Sequence, residues 1–561
     1  MRRVDIGRIL VALVAAGGCS GDVAPQGGAV DLVIRNGRIL DGGGNPWFRG
    51  DVAVDGGVIV AVGRLSDGVE AVREIDAQDR IVAPGFIDMM GQSSLVLVTD
   101  PPSAQSKLRQ GITTYLSGEG GSPFPRSVDD DPVEIGSEAV TWSSYEEYFQ
   151  ALDRVGIPLN VAHNVGLGQV RAVVVGEEDV EPTPEQMNRM RDLVRAGMED
   201  GAVGVSTALI YPPGNYASET ELTELARVAS EYGGVYFTHM RNESAGVLNA
   251  IGEAIRIGAG AGVPVHIYHL KAAGEENWPL MRRALALIDS ARVAGMDVTA
   301  DIYPYVRNGI GLGSFLHPKH YASGEASFLA RLGDAALRSR LREEVEGTGD
   351  WENWYRHVGS DWGNVLIVGA PDDVAEEVVG RSLAEVARAA GVDPWSLFFD
   401  LVRGGGVSVT PRSMNEEQKW EALAAPWVMI DTDASPINPA STRSAHPRAF
   451  GAFPRVIAKY VREDGVITLE EAVRRMTSLA ANRLGLADRG RIAPGMAADL
   501  VVFDPDRLAD RATFERPLEY AEGVDFLVVN GSLVIDDGRM TPNQPGRLLR
   551  RQHAPIARPS S

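Results

Sequence analysis

Two histidines and two acidic residues each follow a short apolar run of the sequence: Glu119, His239, His269 and Asp433. Two imidazoles with one or two carboxylates form a donor set that suits Zn²⁺ or a similar divalent ion, with one position open for water. Such an ion lowers the pKa of bound water towards about 7. Asp433 would then take the proton. These four side chains predict a hydrolytic metal site.

Neighbouring residues refine this set. Lys271 follows His269 by two positions on the same strand, so both side chains point to the same side. His266 has the opposite orientation, and we expect it to be packed in the interior. His163 also ends an apolar run, but a single strand-end histidine is more often a hydrogen-bonded structural residue than a ligand. We therefore leave His163 out of the predicted ligand set.

The four side chains require elements that end at one place. Apolar runs alternate with helical patterns through the middle of the chain, which is typical of repeated βα units. Eight parallel strands predict a closed (β/α)8 TIM-type barrel whose active site lies where the strands end. The candidate strands are Phe86–Met89, Ile112–Ser117, Leu159–His163, Ala202–Thr207, Val235–Thr238, Val263–Tyr268, Asp297–Ile302 and Trp427–Thr432.

Both ends of the chain carry short strands with glycine turns. Asn36-Gly37 before Ile39 is echoed by Asn530-Gly531 before Val534, as if both ends formed one small β unit. We therefore divide the chain into a signal peptide (1–18), a linker (19–30), a β-sandwich formed by 31–84 and 488–548, a barrel (85–487) with an inserted subdomain at about 305–425, and a tail (549–561).

Composition excludes several classes of protein. Of 561 residues 44% are hydrophobic and 23% charged, so the chain can bury a large core. The net charge of −22 repels phosphate backbones and argues against nucleic-acid binding. Cys19 is the one cysteine, which excludes intrachain disulfides and cysteine-rich zinc fingers.

The start of the chain has the features of an export signal. Basic residues at Arg2, Arg3 and Arg8 precede a short apolar run and the small residues leading to Cys19. Cleavage before Cys19 would leave a lipidated cysteine at the new N-terminus. We expect an exported bacterial lipoprotein, periplasmic or at the cell surface, that meets the membrane only through this lipid. A plain secretory signal and a cytoplasmic location remain alternatives.

Several longer stretches resemble the N-acyl-D-amino-acid deacylase (D-aminoacylase) branch of the amidohydrolase superfamily. The resemblance covers nearly all of the mature chain. It implies a metal-dependent barrel, a β-sandwich built from both chain ends, and hydrolysis of an amide. The stretches that carry it are Val82–Asp88, Gly201–Gly214, Thr238–Glu243, His446–Gly451 and Gly490–Asp504.

The resemblance also implies roles for individual residues. His239 and His269 match the family's metal histidines, and Asp433 matches its catalytic aspartate. Lys271 and Tyr303 look like the contacts to the substrate carboxylate, with Tyr211 as a further candidate.

The chain departs from the family pattern at two places. The family carries His-x-His after strand one, where this chain has Met90 and Gln92. The family also has a bridging cysteine in Gly-Asn-Cys-Gly, where this chain reads Gly118-Glu119-Gly120-Gly121. We expect Glu119 to replace that cysteine and to complete a site for one divalent ion, with Zn²⁺ the expected metal. The alternative for Glu119 is a loop cap or an ion pair with Arg241.

The function predicted from these residues is hydrolysis of a linear amide, with an N-acyl amino acid or related small molecule as substrate. Hydrolysis of a cyclic amide or a dipeptide on the same barrel is the first alternative. The second is a non-catalytic surface binding protein, which the loss of His-x-His would explain. Metal content and substrate profiling discriminate among these. The oligomeric state, the acyl group and the side chain of the substrate are left open.

Overall fold

The structure, a computed structural model, describes residues 29–551 except 128, 129, 137, 323 and 350. The predicted signal peptide, Cys19 and most of the predicted tail lie outside the described residues. Within the described part of the chain, no helix is both long enough and apolar enough to cross a membrane.

The described residues contain both short and long strands. In chain order they are β1 (Val30–Ile39), β2 (Phe48–Asp55), β3 (Val58–Gly63), β4 (Ala71–Asp76), β5 (Ile81–Pro84), β6 (Phe86–Asp88), β7 (Ile112–Ser117), β8 (Val133–Ile135), β9 (Glu138–Val140), β10 (Asn160–Gly166), β11 (Gly204–Ala208), β12 (Val235–His239), β13 (Val265–Ile267), β14 (Val298–Ile302), β15 (Ile310–Gly311), β16 (Val365–Gly369), β17 (Ser408–Pro411), β18 (Val428–Ile430), β19 (Leu500–Phe503), β20 (Val524–Val529), β21 (Ser532–Asp536) and β22 (Arg539–Met540).

The α-helices alternate with the strands through the middle of the chain. They are α1 (Val96–Thr99), α2 (Gln105–Leu108), α3 (Tyr145–Val155), α4 (Leu167–Val174), α5 (Pro184–Glu199), α6 (Glu219–Glu231), α7 (Val247–Ala261), α8 (Leu280–Val293), α9 (Glu325–Arg331), α10 (Ala335–Glu346), α11 (Trp354–His357), α12 (Asp372–Val378), α13 (Leu383–Ala390), α14 (Pro394–Gly404), α15 (Glu416–Ala424), α16 (Arg448–Arg455), α17 (Leu469–Met476) and α18 (Ser478–Leu484). A π-helical segment, Val456–Glu463, continues α16.

Eight parallel strands form the barrel, in the order β18-β14-β13-β12-β11-β10-β7-β6. The backbone N–H of Met89 donates to the carbonyl of Ile430 at 3.4 Å and brings the first and last strands together. Each observed strand overlaps one of the eight predicted runs, so the predicted barrel is confirmed. Because all eight run in parallel, their carboxyl ends meet at one mouth.

The helices cover the barrel with apolar stripes. In α7 the buried residues include Val247, Ile251, Ala254 and Ile257, which recur at the spacing of one helix face. The helix ends at Gly262 in the left-handed conformation (φ 68°), which glycine adopts without steric cost. The sequence pattern thus fixes both the buried face and the end of this helix.

Both chain ends enter a single nine-stranded sheet. Its order is β22-β21-β20-β19-β5-β1-β2-β3, with β4 paired to β1. The two ends join where β19 pairs antiparallel with β5, placing Leu500 opposite Pro84. A buried cluster that includes Ile34, Val52 and Val528 gives this sheet its own core.

The long connection between β14 and β18 contains further helices and strands. It contains the three-stranded sheet β15-β17-β16 and helices α9 to α14. Its separate core is aromatic, with Trp354, Trp362, Trp395 and Phe398 buried in one cluster. Residues 308–311 of this connection reach back to line the barrel mouth.

Candidate active site

The predicted site residues meet at the mouth of the barrel. Glu119 follows β7, His239 is the last residue of β12, His269 follows β13 and Asp433 follows β18. Side-chain donor atoms of Glu119, His239 and His269 all lie within 4.8 Å of one another. The structure therefore brings together the three side chains that were predicted from the sequence to be metal ligands.

Glu119 Oε1 lies between the two imidazoles. It is 2.8 Å from Nδ1 of His239 and 3.1 Å from Nε2 of His269. The rings are nearly perpendicular, at 83°, with centroids 4.5 Å apart. Two nitrogens and one carboxylate oxygen facing one another in this way form the three-ligand set of catalytic zinc sites.

Glycines allow the loop of Glu119 to pack tightly. Gly118 and Gly120 have φ values of 107° and 68°, which favour glycine. A Cβ on Gly120 would lie 2.7 Å from the backbone nitrogen of Ala208, and a Cβ on Gly166 would lie 2.4 Å from the carbonyl oxygen of Gly120. Glycine at these positions thus lets the backbone of the Glu119 loop approach its neighbours closely.

The alternative ion pair between Glu119 and Arg241 does not form. Arg241 instead binds Glu253 through two nitrogens at 2.9–3.1 Å and donates to the carbonyls of Asn215 and Ala217. Glu119 instead contacts the two histidines and Gln92.

Glu243 contacts both histidines through the ring nitrogens that do not face Glu119. Its role was not predicted from the sequence. Its Oε1 lies 3.0 Å from Nδ1 of His269 and 2.5 Å from Nζ of Lys271, and its Oε2 lies 3.6 Å from Nε2 of His239. A carboxylate that contacts the outer nitrogen of a ligand histidine fixes the tautomer and the ring orientation. The spacing of four residues between His239 and Glu243 was the available signal.

Burial and charge act in opposite directions on these groups. Burial and Lys271 lower the pKa of His269, but Glu243, Asp433 and Glu119 outweigh them and raise it to about 10. Burial raises the pKa of Glu119, whereas its bonds to His239 and His269 lower it further, and the net shift is downward. A divalent ion at this position would displace the protons that these groups share.

Asp433 lies close to Glu119 at the barrel mouth, since Nε2 of Gln92 contacts both carboxylates. Its Oδ1 accepts a hydrogen bond from Nε2 of Gln92 at 2.8 Å, and its Oδ2 forms an ion pair with Arg448 at 2.6 Å. Its backbone φ of 43° is sparsely populated for a residue with a side chain. His269 is also in this region, with φ 36°. Such positions cluster at functional sites.

A buried ion pair fixes the segment around Asp433. Nζ of Lys107 donates to Oδ2 of Asp88 (2.7 Å), Oγ1 of Thr432 (2.5 Å) and the carbonyl of Ala434 (2.7 Å). Thr432 and Ala434 flank Asp433 on both sides. Lys107 and Asp88 have no exposed side-chain surface. The sequence gives no signal for this contact, because α2 and β18 are distant in the chain.

The predicted substrate-contact residues have different surroundings. Lys271 and Tyr211 line the cavity over the site, and the ring centroid of Tyr211 is 5.6 Å from that of His239. Lys271 is paired with Glu243. Tyr303 is buried beside the cavity rather than in its lining, and its hydroxyl has no hydrogen-bond partner.

Three cations surround the ring of Tyr303. The charged groups of Lys271, Lys419 and Arg448 lie 5.8, 4.8 and 4.7 Å from its centroid. A cation over an aromatic face is attracted by the ring quadrupole. Tyr303 therefore helps to hold positive charge at this wall of the site.

The two histidines left out of the ligand set are structural. Nε2 of His163 is 2.9 Å from Oγ of Ser94, and burial lowers the pKa of His163 to about 3. His266 bonds Thr299 at 2.7 Å and Asp301 at 2.9 Å. Asp301 also accepts a hydrogen bond from the backbone N–H of His269. His266 therefore orients the carboxylate that holds the backbone of His269.

A cavity of about 290 Å³ opens above these residues. Its wall combines Glu119, His239 and His269 with Asp433 and the cations of Lys271 and Arg448. A second, wider cavity of about 1050 Å³ adjoins it and shares Tyr211, Gly311 and Ser408 with it. Residues of the inserted segment thus line both cavities.

Comparison with known proteins gives consistent similarities. A family model described as "Amidohydrolase family" matches residues 73–535. The chain is 34% identical to N-acyl-D-glutamate deacylase of Alcaligenes xylosoxydans xylosoxydans, over 93% of this chain and 97% of the relative.

Solved structures agree with these matches. The zinc- and phosphonate-bound N-acyl-D-glutamate deacylase of Bordetella bronchiseptica is 32% identical with a TM-score of 0.78, over 93% of this chain and all of that one. A D-aminoacylase described as having a binuclear metal centre, with activation by one metal and attenuation by the second, is 33% identical with a TM-score of 0.77 at the same coverage.

Proposed function

Because the chain belongs to the amidohydrolase family, we propose that it hydrolyses a non-peptide carbon–nitrogen bond, removing the acyl group from an N-acyl-D-amino acid. The observation that carries this proposal is the convergence of His239 Nδ1 and His269 Nε2 on Oε1 of Glu119. The D configuration rests on the similarity to deacylases of D-amino acids.

A divalent ion suits this donor set. The ligands would be Glu119, His239 and His269, which offer two nitrogens and one oxygen with room for water above them, and Zn²⁺ prefers such a set. Nε2 of His239 is buried without a hydrogen-bond partner and lies 3.6 Å from Oε2 of Glu243, so Nδ1 is the nitrogen that faces Glu119. When bound, the ion would supply a Lewis acid for the scissile carbonyl and lower the pKa of water.

We propose one ion per chain rather than two. The related D-aminoacylase has a binuclear centre. In this chain Met90 is buried in an apolar cluster with Met89 and Leu116, and Gln92 uses its amide to bond two carboxylates. Neither residue supplies an imidazole, so the donors for a second ion are missing.

Asp433 moves the proton in this scheme. Its carboxylate lines the cavity beside the ligand set, so it can take a proton from the attacking water and pass it to the leaving nitrogen. Arg448 holds Oδ2 of Asp433 through an ion pair at 2.6 Å. The same arginine, with Lys271, gives the cavity two positive groups for the substrate carboxylate.

The alternative of a non-catalytic binding protein is not favoured. It was motivated by the loss of His-x-His, yet three ligand groups and an acid–base candidate still meet in one cavity. Cyclic amides and dipeptides are separated from linear amides by substrate profiling.

The proposal is tested with the purified mature protein. N-acetyl-D-amino acids with apolar, acidic and basic side chains, and their L enantiomers, are assayed before and after metal removal and Zn²⁺ readdition. We expect hydrolysis of D substrates that is lost with the metal and restored by Zn²⁺. Hydrolysis of hydantoins or dipeptides alone would contradict linear-amide specificity.

We also propose that Cys19 carries a lipid that anchors the exported protein. The support is the sequence around it, with basic residues, an apolar run and small residues before the cysteine. Cys19→Ser is expected to move the protein from the membrane fraction to the soluble fraction. An unchanged distribution would contradict lipidation.

A further inference from the structure

Gln92 joins the two halves of the site through one amide group. Its Nε2 donates to Oε2 of Glu119 at 2.9 Å and to Oδ1 of Asp433 at 2.8 Å. A primary amide nitrogen carries two hydrogens, so both bonds can form at once. The proposed ligand and the proposed acid–base group are therefore held by the same nitrogen atom.

The backbone of Gln92 is held from both sides. Its carbonyl accepts the N–H of Gly118, next to Glu119, at 3.1 Å, and the N–H of Ser93 donates to Oγ of Ser435, near Asp433, at 3.2 Å. Its φ of 58° lies in the left-handed region, where a residue with a side chain needs such support. The position of this glutamine is thus determined by the same loops that it connects.

The amide of Gln92 contacts one oxygen of each carboxylate and leaves the other oxygen to a different partner. Gln92 takes Oε2 of Glu119, so Oε1 is the oxygen left facing His239 and His269. It also takes Oδ1 of Asp433, whose Oδ2 faces Arg448. Two nearby carboxylates repel each other, and a neutral donor between them removes much of that cost without adding charge.

We propose that Gln92 is a positioning residue that connects Asp433 to the ligand Glu119. Its amide takes the place of a second metal ion that would otherwise bridge the two carboxylates. It holds Glu119 for ligation through one oxygen and holds Asp433 at a set distance from the ligand cluster. This inference rests on the proposed function, because it assumes that Glu119, His239 and His269 bind one ion.

The test compares the wild-type protein with Gln92→Ala and the control Gln169→Ala. Gln169 is half-buried like Gln92, but its amide donates to the carbonyl of Pro125 outside the cavity. Zn²⁺ content and the Zn²⁺ dissociation constant are measured by competition with a chelator, and kcat and KM are measured on the best N-acetyl-D-amino acid.

For Gln92→Ala we expect one bound Zn²⁺, a dissociation constant about 10–100-fold higher, and a kcat about 10–100-fold lower with little change in KM. The control retains wild-type values for all of these.

Wild-type Zn²⁺ affinity and kcat in Gln92→Ala would overturn the inference and leave the proposed function intact. Gain of a second tightly bound Zn²⁺ by the wild-type protein would also overturn it, since a bridging cation would then hold Asp433. Absence of any metal-dependent hydrolysis in the wild-type protein would instead contradict the proposed function.

Discussion

Glu119 Oε1 lies 3.1 Å from Nε2 of His269, although 150 positions separate the two residues in the chain. The barrel makes this contact possible because β7 and β13 end at the same mouth. The same oxygen is 2.8 Å from His239, so one carboxylate serves both rings. In the proposed metal site, Glu119 is therefore the ligand that contacts both of the others.

Glu119→Gln keeps the side-chain shape but removes the charge. We expect the Zn²⁺ dissociation constant to rise by at least about 100-fold, with a matching loss of activity, because a neutral amide is a poor zinc ligand. Competition with a chelator measures the Zn²⁺ dissociation constant. The control is Glu185→Gln, a substitution at an exposed position. A variant with full metal content and turnover would refute the ligand role.

Asp433→Asn removes the proposed proton carrier and leaves the ligand set in place. We expect kcat to fall by about 10²–10⁴-fold while one Zn²⁺ equivalent is retained. Steady-state kinetics and metal analysis on the same preparation check both parts. If activity persisted at the wild-type level, another group would have to carry the proton.

Lys107→Met breaks the buried pair with Asp88. It leaves an uncompensated carboxylate in the barrel, and we expect the free energy of unfolding to fall by about 3–5 kcal/mol. Urea unfolding of this variant is compared with Lys319→Met, whose lysine is largely exposed. Because Lys107 also bonds Thr432 and Ala434, kcat should fall in the folded variant. Equal stability of the two variants would contradict this role.

The lowered pKa of Lys419 predicts that the free energy of unfolding depends on pH. Burial, with a smaller contribution from Lys271, lowers its pKa to about 7, well below the unfolded value of 10.5. Between these values the unfolded chain binds the proton more strongly, so this residue makes stability rise with pH from about 7 to 10.5.

Lys419→Met should remove that contribution. The gain in unfolding free energy over the wild type is expected to be largest near pH 6 and to shrink as the pH approaches 10. Urea unfolding at several pH values measures the difference. A difference that stays constant with pH would show that Lys419 does not titrate in this way.

The barrel was predictable because each strand is a short apolar run that belongs to a βα unit. The candidate site residues were predictable because each follows the end of such a run: Glu119, His239, His269 and Asp433. What holds them was not predictable. Periodicity places a residue on a strand or helix, but it does not show which distant loops meet across the mouth.

Gln92 illustrates this limit. In the sequence it was noted only as a replacement for a histidine, whereas the structure shows its amide bonding Glu119 and Asp433, the latter 341 positions away. Glu243 and Arg448 lay within the stretches that carry the resemblance, yet their partners depend on side-chain geometry. Lys107 gave no signal, since a lysine in a helical pattern usually faces solvent.

The most direct test of the central claim is a Zn²⁺ titration of the metal-free mature protein during hydrolysis of an N-acetyl-D-amino acid. The account predicts that activity appears with the metal and reaches its plateau at one equivalent of Zn²⁺ per chain. A plateau only at two equivalents would contradict the single-ion site built on Glu119, His239 and His269. Activity without metal, or no activity at any Zn²⁺ level, would contradict metal-dependent deacylation.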